Sequence, residues 1–278
     1  VGSTVNRLPL FQLSSLHIGY QGRALSAAPV YGAPRTGMAV RTLWPDSIVP
    51  ITGIEQHWYR VPTGYVEREQ VQPMKPYLPQ QPIQLPNTPF WAEVSAPVAP
   101  VRQACAANAP LVTRIGHGGV ARIVDYLPGE PNGWYGVGDE DDGLIGWSQA
   151  LYWQPVESIA AEPGDHDLRM DRAAHRLTAW EKGDLILEAP FSAGQSLNAG
   201  SYSVTEQRPT IARLQIEGFG KALYGVPWVT DFGGYALTGA YWHNQFGKAS
   251  PGPAIQVTPP LAEWLYGWLN ESSQIRVV

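Results

Sequence analysis

Tyr235-Ala-Leu-Thr-Gly-Ala-Tyr-Trp-His-Asn-Gln-Phe-Gly247 and, after a short gap, Pro253-Ala-Ile-Gln-Val-Thr-Pro-Pro-Leu-Ala-Glu-Trp-Leu-Tyr-Gly-Trp-Leu269 decide how this chain is read. The second half carries the only helical pattern in the sequence, over about 260–269. Leu261, Trp264, Leu265 and Trp268 recur at i, i+3, i+4 and i+7, with Thr258 as the candidate N-cap and prolines in the first turn. The first half brings a strand-like start to a polar series, Tyr235, Thr238, Trp242, His243 and Asn244, with Ser250 close behind.

Working outward, the rest of the chain reads as β structure. Charged residues make up only 15% of the 278, while Gly (29), Pro (26), Trp (11) and Tyr (13) are abundant, which favours turn-rich, aromatic-rich β modules over coiled coil or disorder. Net charge is −5 with no basic block, so nucleic acid is not an expected partner. The single cysteine, Cys105, excludes an internal disulfide framework. No apolar run is long enough to span a bilayer as a helix.

Ahead of the opening stretch lies a hairpin signal. His175 to Glu188 reads as strand, a turn around Lys182-Gly183-Asp184, then strand, followed by Phe191-Ser192-Ala193-Gly194 and Asn198 to Val204. Further upstream two segments echo each other at domain length. The first pairs the strand Met38–Leu43 with His57-Trp58-Tyr59-Arg60-Val61-Pro62-Thr63-Gly64-Tyr65-Val66. The second pairs Val120–Tyr126 with Gly133-Trp134-Tyr135-Gly136-Val137, an acidic loop, and Gly146-Trp147. Both resemble bacterial SH3-like modules, whose hairpin reads Asn-Gly-Trp-Tyr-x-Val and is followed by Gly-Trp-Val. Between them Pro73, Pro76, Pro79, Pro82, Pro86 and Pro89 specify an extended connector. The expected division is a lead-in without clear period at 1–25, SH3-like modules at 26–72 and 90–160, a proline-rich connector at 73–89, and a C-terminal β domain at 165–278.

The C-terminal domain resembles the catalytic domain of the L,D-transpeptidase (YkuD) family over about 110 residues. That family reads roughly Ala-Ile-His-Gly-Thr, then Trp-His-Asn-x-Phe-Gly, then Ser-His-Gly-Cys-Ile-Arg-Met, then x-Pro-x-Asp-Ala-x-Trp-Leu-Tyr. The resemblance implies a peptidoglycan cross-linking site in which a cysteine thiolate attacks a stem-peptide carbonyl beside a histidine. It also implies an exported protein of the periplasm, cell surface or medium, and removal of an export signal ahead of Val1. Carried onto this chain, the histidine position is Thr238, the cysteine position Ala254 and the arginine position Gln256. Anchoring on Ser250 instead puts Pro253 at the cysteine. Neither alignment supplies a nucleophile.

The expectation is therefore an all-β protein, two SH3-like small barrels followed by an L,D-transpeptidase-like β domain with a short C-terminal helix, inactive as a transpeptidase. It would act by binding peptidoglycan or another surface polymer, by self-assembly or through a protein partner. Tyr235, Trp242, His243, Asn244 and Ser250 would remain as a groove. The aromatics Trp58, Tyr59, Trp134, Tyr135 and Trp147 would offer a ligand face, with one member of each pair packing inward. The alternative keeps an enzyme that uses Ser250 as nucleophile with His243 as its base; a bland structural role for His243 stands beside it. No cofactor, metal or membrane span is expected: Asp139 to Asp142 reads as a solvated loop and Asp165-His166-Asp167 as a linker.

Overall fold

A computed structural model describes residues 20–34, 37–74, 76, 88–129, 132–156, 159, 164–194, 197–216, 220–250 and 254–278. Most of the lead-in at 1–25 and of the connector at 73–89 lies outside the described residues, as does Pro253. The described chain is mostly strand and turn, in three sheet systems with one short α-helix.

The first system contains β1 (Gln21–Ala24), β2 (Ala28–Tyr31), β3 (Ala39–Leu43), β4 (Ile48–Pro50), β5 (Gly53–Glu55), β6 (Trp58–Val61), β7 (Gly64–Glu67) and β8 (Val71–Met74). A three-stranded sheet, β4-β1-β8, and a five-stranded sheet, β3-β2-β7-β6-β5, enclose a core of Ala28, Val30, Leu43, Ile51, Tyr59 and Val71. Strand β1 falls in the stretch that shows no period, because four residues are too few to display alternation. Pairing with both neighbours makes it a central strand nonetheless.

The second system comprises β9 (Phe90–Val94), β10 (Val98–Arg102), β11 (Leu111–Gly116), β12 (Val120–Leu127), β13 (Trp134–Gly138), β14 (Leu144–Gln149) and β15 (Trp153–Pro155). They form one seven-stranded sheet, β11-β10-β14-β13-β12-β9-β15, around Val94, Val101, Ile123, Tyr135, Val137 and Trp153. Trp153 is buried, and its indole N–H donates to Ser148 Oγ at 2.9 Å, which satisfies the polar edge of an otherwise apolar side chain.

The third system holds β16 (His166–Asp171), β17 (Arg176–Glu181), β18 (Asp184–Pro190), β19 (Gly200–Gln215), β20 (Ala222–Phe232), β21 (Tyr235–Gly239), β22 (Ala254–Val257), helix α1 (Pro259–Trp268) and β23 (Gln274–Val277). The sheet order is β18-β17-β16-β23-β19-β20-β21-β22. Lys182 and Gly183, both at positive φ (52° and 87°), make the tight β17–β18 turn, a conformation suited to the twist of a two-residue hairpin. Past β18 the chain turns back, and Ser192 pairs with Gln256 in β22, so the two ends of the sheet meet. Closure removes an open edge. His166, expected in a linker, instead begins β16; it is 3% exposed and stacks on Trp268 at 4.4 Å.

Helix α1 buries Leu261, Ala262, Leu265 and Trp268 against the sheet. Thr258 occupies the N-cap position, but its hydroxyl makes no cap bond. Pro259 and Pro260 have no N–H to cap, and the N–H groups of Leu261 and Ala262 already reach the Thr258 carbonyl at 3.0 and 2.9 Å.

All three systems meet at Gly116. A Cβ there would lie 2.6 Å from both Arg23 Nη2 of the first system and Tyr241 Cδ2 of the third. Only glycine lets the backbone approach this closely. The acidic turn is exposed at 140–142; Glu140 Oε1 nonetheless accepts from the Ala212 N–H of β19 at 2.7 Å, and Asp142 pairs with Arg122 of β12 within the second system.

Candidate functional site

Strands β21 and β22 run parallel, with Ala236 opposite Ala254, Leu237 opposite Ile255, Thr238 opposite Gln256 and Gly239 opposite Val257. Every residue of β22 is buried, as expected of a parallel strand covered on both faces. Register puts Thr238 and Gln256 side by side on one face. Both are fully buried, and among the described residues Thr238 Oγ1 and Gln256 Nε2 have no hydrogen-bond partner. Ala254, 4% exposed, presents only a methyl group.

The other end of the Gln256 amide organises the polar cluster. His243 Nδ1 accepts the Gln245 N–H at 3.1 Å, so the ring proton sits on Nε2, which donates to Gln256 Oε1 at 2.7 Å. Ser250 Oγ donates to the same oxygen at 3.0 Å. One carbonyl oxygen thus takes both donors, and the serine hydroxyl is directed at the amide and not at the imidazole. Burial holds the His243 pKa below the ordinary histidine value; the bond to Gln256 opposes this and the Lys248 charge adds to it. The imidazole is therefore neutral, with its basic nitrogen turned to a backbone N–H.

Backbone bonds fix the cluster in place. Ser192 N–H donates to Gln256 O at 2.8 Å, and Gln256 N–H returns the bond at 2.7 Å. Ser250 N–H donates to Ala193 O at 3.1 Å, and Ser192 Oγ–H to Gln245 O at 2.7 Å.

Of the residues expected to line a groove, the structure brings His243 and Ser250 together with Gln256 and Thr238. The others serve different contacts. Asn244 Nδ2 donates to Arg68 O and Val71 O, both at 2.8 Å, clasping the backbone of the first system, and reaches Tyr59 Oη at 3.4 Å. Lys248 pairs with Glu69 at 2.8 Å. Trp242 is half-buried against the seven-stranded sheet's core and against Ile216, Leu223 and Val226. Tyr235 lies at the start of β21, edge-on to Tyr202, with its hydroxyl accepting the Asn198 N–H at 3.0 Å.

Among the aromatics, Tyr59 and Tyr135 are the inward members of their pairs, and Trp58, Trp134 and Trp147 are half-exposed. Cys105 sits between β10 and β11, its thiol pushed up by burial and by Asp125.

Sequence reasoning missed Arg23. It is 6% exposed and donates to Gln72 Oε1 (2.7 Å), Asp46 Oδ1 (2.8 Å) and Tyr241 O (2.7 Å), while Arg114 holds the other Asp46 oxygen. A partner 218 residues away leaves no local pattern to read. Among the described residues no group of three or more His, Cys, Asp or Glu could hold a metal ion, and no helix is long and apolar enough to cross a membrane.

No protein-family model matches the chain, and no curated protein matches it. Solved structures do. Over 42% of its length the chain is similar to the catalytic domain of an E. faecium L,D-transpeptidase, which it covers completely, at 15% identity and a TM-score of 0.35. It is similar over 49% of its length to 75% of L,D-transpeptidase 3 from Mycobacterium tuberculosis, at 14% identity and 0.38. A third likeness, at 14% identity and 0.33, joins 44% of the chain to 65% of an L,D-transpeptidase fragment from Xylanimonas cellulosilytica.

Proposed function

We propose that this protein is a non-catalytic relative of the L,D-transpeptidases that acts at the cell envelope or outside the cell, by binding wall polymer or by assembling with itself or a protein partner. The observation that carries the reading is the double use of Gln256 Oε1 by His243 and Ser250. A nucleophile needs a base within hydrogen-bond reach and oriented toward it. Here the hydroxyl and the imidazole N–H are both donors spent on one amide, and Ala254 offers no thiol. Knocking out a nucleophile or its base in a catalytic unit costs on the order of 10⁶ in turnover, so replacement at Thr238, Ala254 and Gln256 together supports inactivity.

In this reading residues 26–72 and 90–160 are SH3-like modules joined by the connector 73–89, and 165–278 is the degenerate transpeptidase domain. Trp58, Trp134 and Trp147, half-exposed on their strands, are the faces offered to a sugar or peptide ligand. The test is co-sedimentation of the full chain with isolated cell-wall sacculi, alongside a variant carrying Trp58→Ala, Trp134→Ala and Trp147→Ala, with self-association measured by analytical ultracentrifugation. Sedimentation lost in the variant is the expected result. A full chain that stays in the supernatant and remains monomeric at high concentration overturns the reading.

A further inference from the structure

Nine large hydrophobic side chains stand exposed among the described residues. Five of them, Met38, Val40, Trp44, Ile48 and Val112, are 38% to 86% exposed and gather near one ion pair. Arg114 of β11 reaches Asp46 at 2.6 Å, joining the second system to the first. Trp44 and Ile48 stand two residues to either side of Asp46, and Val112 stands two residues from Arg114 along β11. Val40, and Met38 just ahead of β3, extend the apolar surface from Trp44.

No further strand covers this surface among the described residues, since β3, β4 and β11 are each outermost in their sheets. Edges of that kind are commonly blunted with charge, yet the only charged residue of β3 is Arg41. The register slips at Val40, a bulge that breaks the ladder, so the surface offers apolar side chains more than a backbone edge. A contiguous apolar patch left open on a folded chain marks a place for a partner.

Residues 1–19 supply a matching segment. They hold Leu8, Leu10, Phe11, Leu13, Leu16 and Ile18, and among Asp, Glu, Lys and Arg they hold only Arg7. Apolar side chains in that number favour a partner surface over water. The Tyr20 carbonyl, at the start of β1, accepts the Ile51 N–H at 2.8 Å; Ala24, at its end, bonds Ser47 O and the Asp46 N–H at 2.9 and 2.8 Å. The segment is therefore joined to the fold at the end of β1 away from Asp46 and the patch around it. We infer that residues 1–19 of one copy dock on the Met38, Val40, Trp44, Ile48 and Val112 patch of a second copy. Donor segment and acceptor patch are different surfaces, so the contact is head-to-tail and repeats from copy to copy. This inference rests on the self-association included in the proposed function and names the two surfaces that make it.

Sedimentation velocity of the full chain over a range of concentrations tests it, with two double variants alongside. Val40→Asp with Trp44→Asp charges the patch at exposed positions, and Leu16→Asp with Ile18→Asp charges the segment. Both should keep the wild-type melting midpoint. The wild type should form oligomers that grow with concentration, and each variant alone should associate at least about tenfold more weakly. Mixed in equal amounts, the two variants should form a dimer and nothing larger, because each retains the surface that the other has lost. Oligomers that persist in either variant would overturn this docking and leave self-assembly standing. Variants that fail to pair when mixed would do the same. A wild type that stays monomeric at high concentration, as it would if the segment covered its own patch, would overturn the docking and leave only the binding of wall polymer or a protein partner.

Discussion

Replacing Asn244 by leucine separates a groove residue from a structural clasp. The side chains are close in volume, so little cavity forms and the change isolates the polar term. In the wild type the Asn244 amide satisfies Arg68 O and Val71 O at 2.8 Å each. Leucine leaves Val71 O without that donor in a partly buried seam, while Arg68 O keeps the Val71 N–H, so the variant should lose about 1–3 kcal/mol. Lys248→Ala, by contrast, removes an ion pair whose two side chains are about half-exposed (49% and 48%), and such pairs contribute less than about 1 kcal/mol. Urea denaturation of the full chain measures both. Hydrogen exchange should also quicken at 241–248 and 68–71 in the Asn244 variant. A loss below about 0.5 kcal/mol, or a Lys248 effect larger than the Asn244 effect, would refute the clasp.

Two further outcomes follow from the same geometry. His243 is held below the ordinary value of about 6.5, so the unfolded chain takes up a proton first. Its contribution is complete above that value and is lost as pH falls through it toward the folded pKa; urea midpoints from about pH 8 to about pH 5 should show this slope, and His243→Phe should flatten it. Gly116→Ala forces a methyl against Arg23 and the Tyr241 ring and should cost about 1–3 kcal/mol; an unchanged melting midpoint would mean that the three systems do not meet there as described.

Much of the fold was legible because its signals are local. The Lys182-Gly183-Asp184 turn, the Trp-Tyr hairpins at 58–66 and 134–147, and the 3.6-residue period of α1 each declare themselves within a short stretch of chain. The long β19–β20 hairpin does not, since Pro209 and Pro227 interrupt it, Trp228 sits at positive φ (57°), and its pairing slips register. At the candidate site the sequence named Thr238, His243, Ser250, Ala254 and Gln256, and the structure gathers four of them, with Ala254 two residues along β22 from Gln256. Their hydrogen-bond directions were not legible, because whether a histidine accepts or donates depends on which backbone N–H reaches it. Asn244 and Arg23 were beyond reach for a different reason. Their partners lie in another sheet system, and no spacing rule connects residues 176 or 218 positions apart.

On the proposed non-catalytic reading, no described residue forms an acyl-enzyme. Incubating the full chain with a carbapenem, and separately with peptidoglycan stem tetrapeptides, followed by intact-mass measurement, tests it most directly. An unchanged protein mass and unaltered peptides are expected. A covalent adduct, or a cross-linked or cleaved peptide, that disappears in Ser250→Ala or His243→Ala would contradict it.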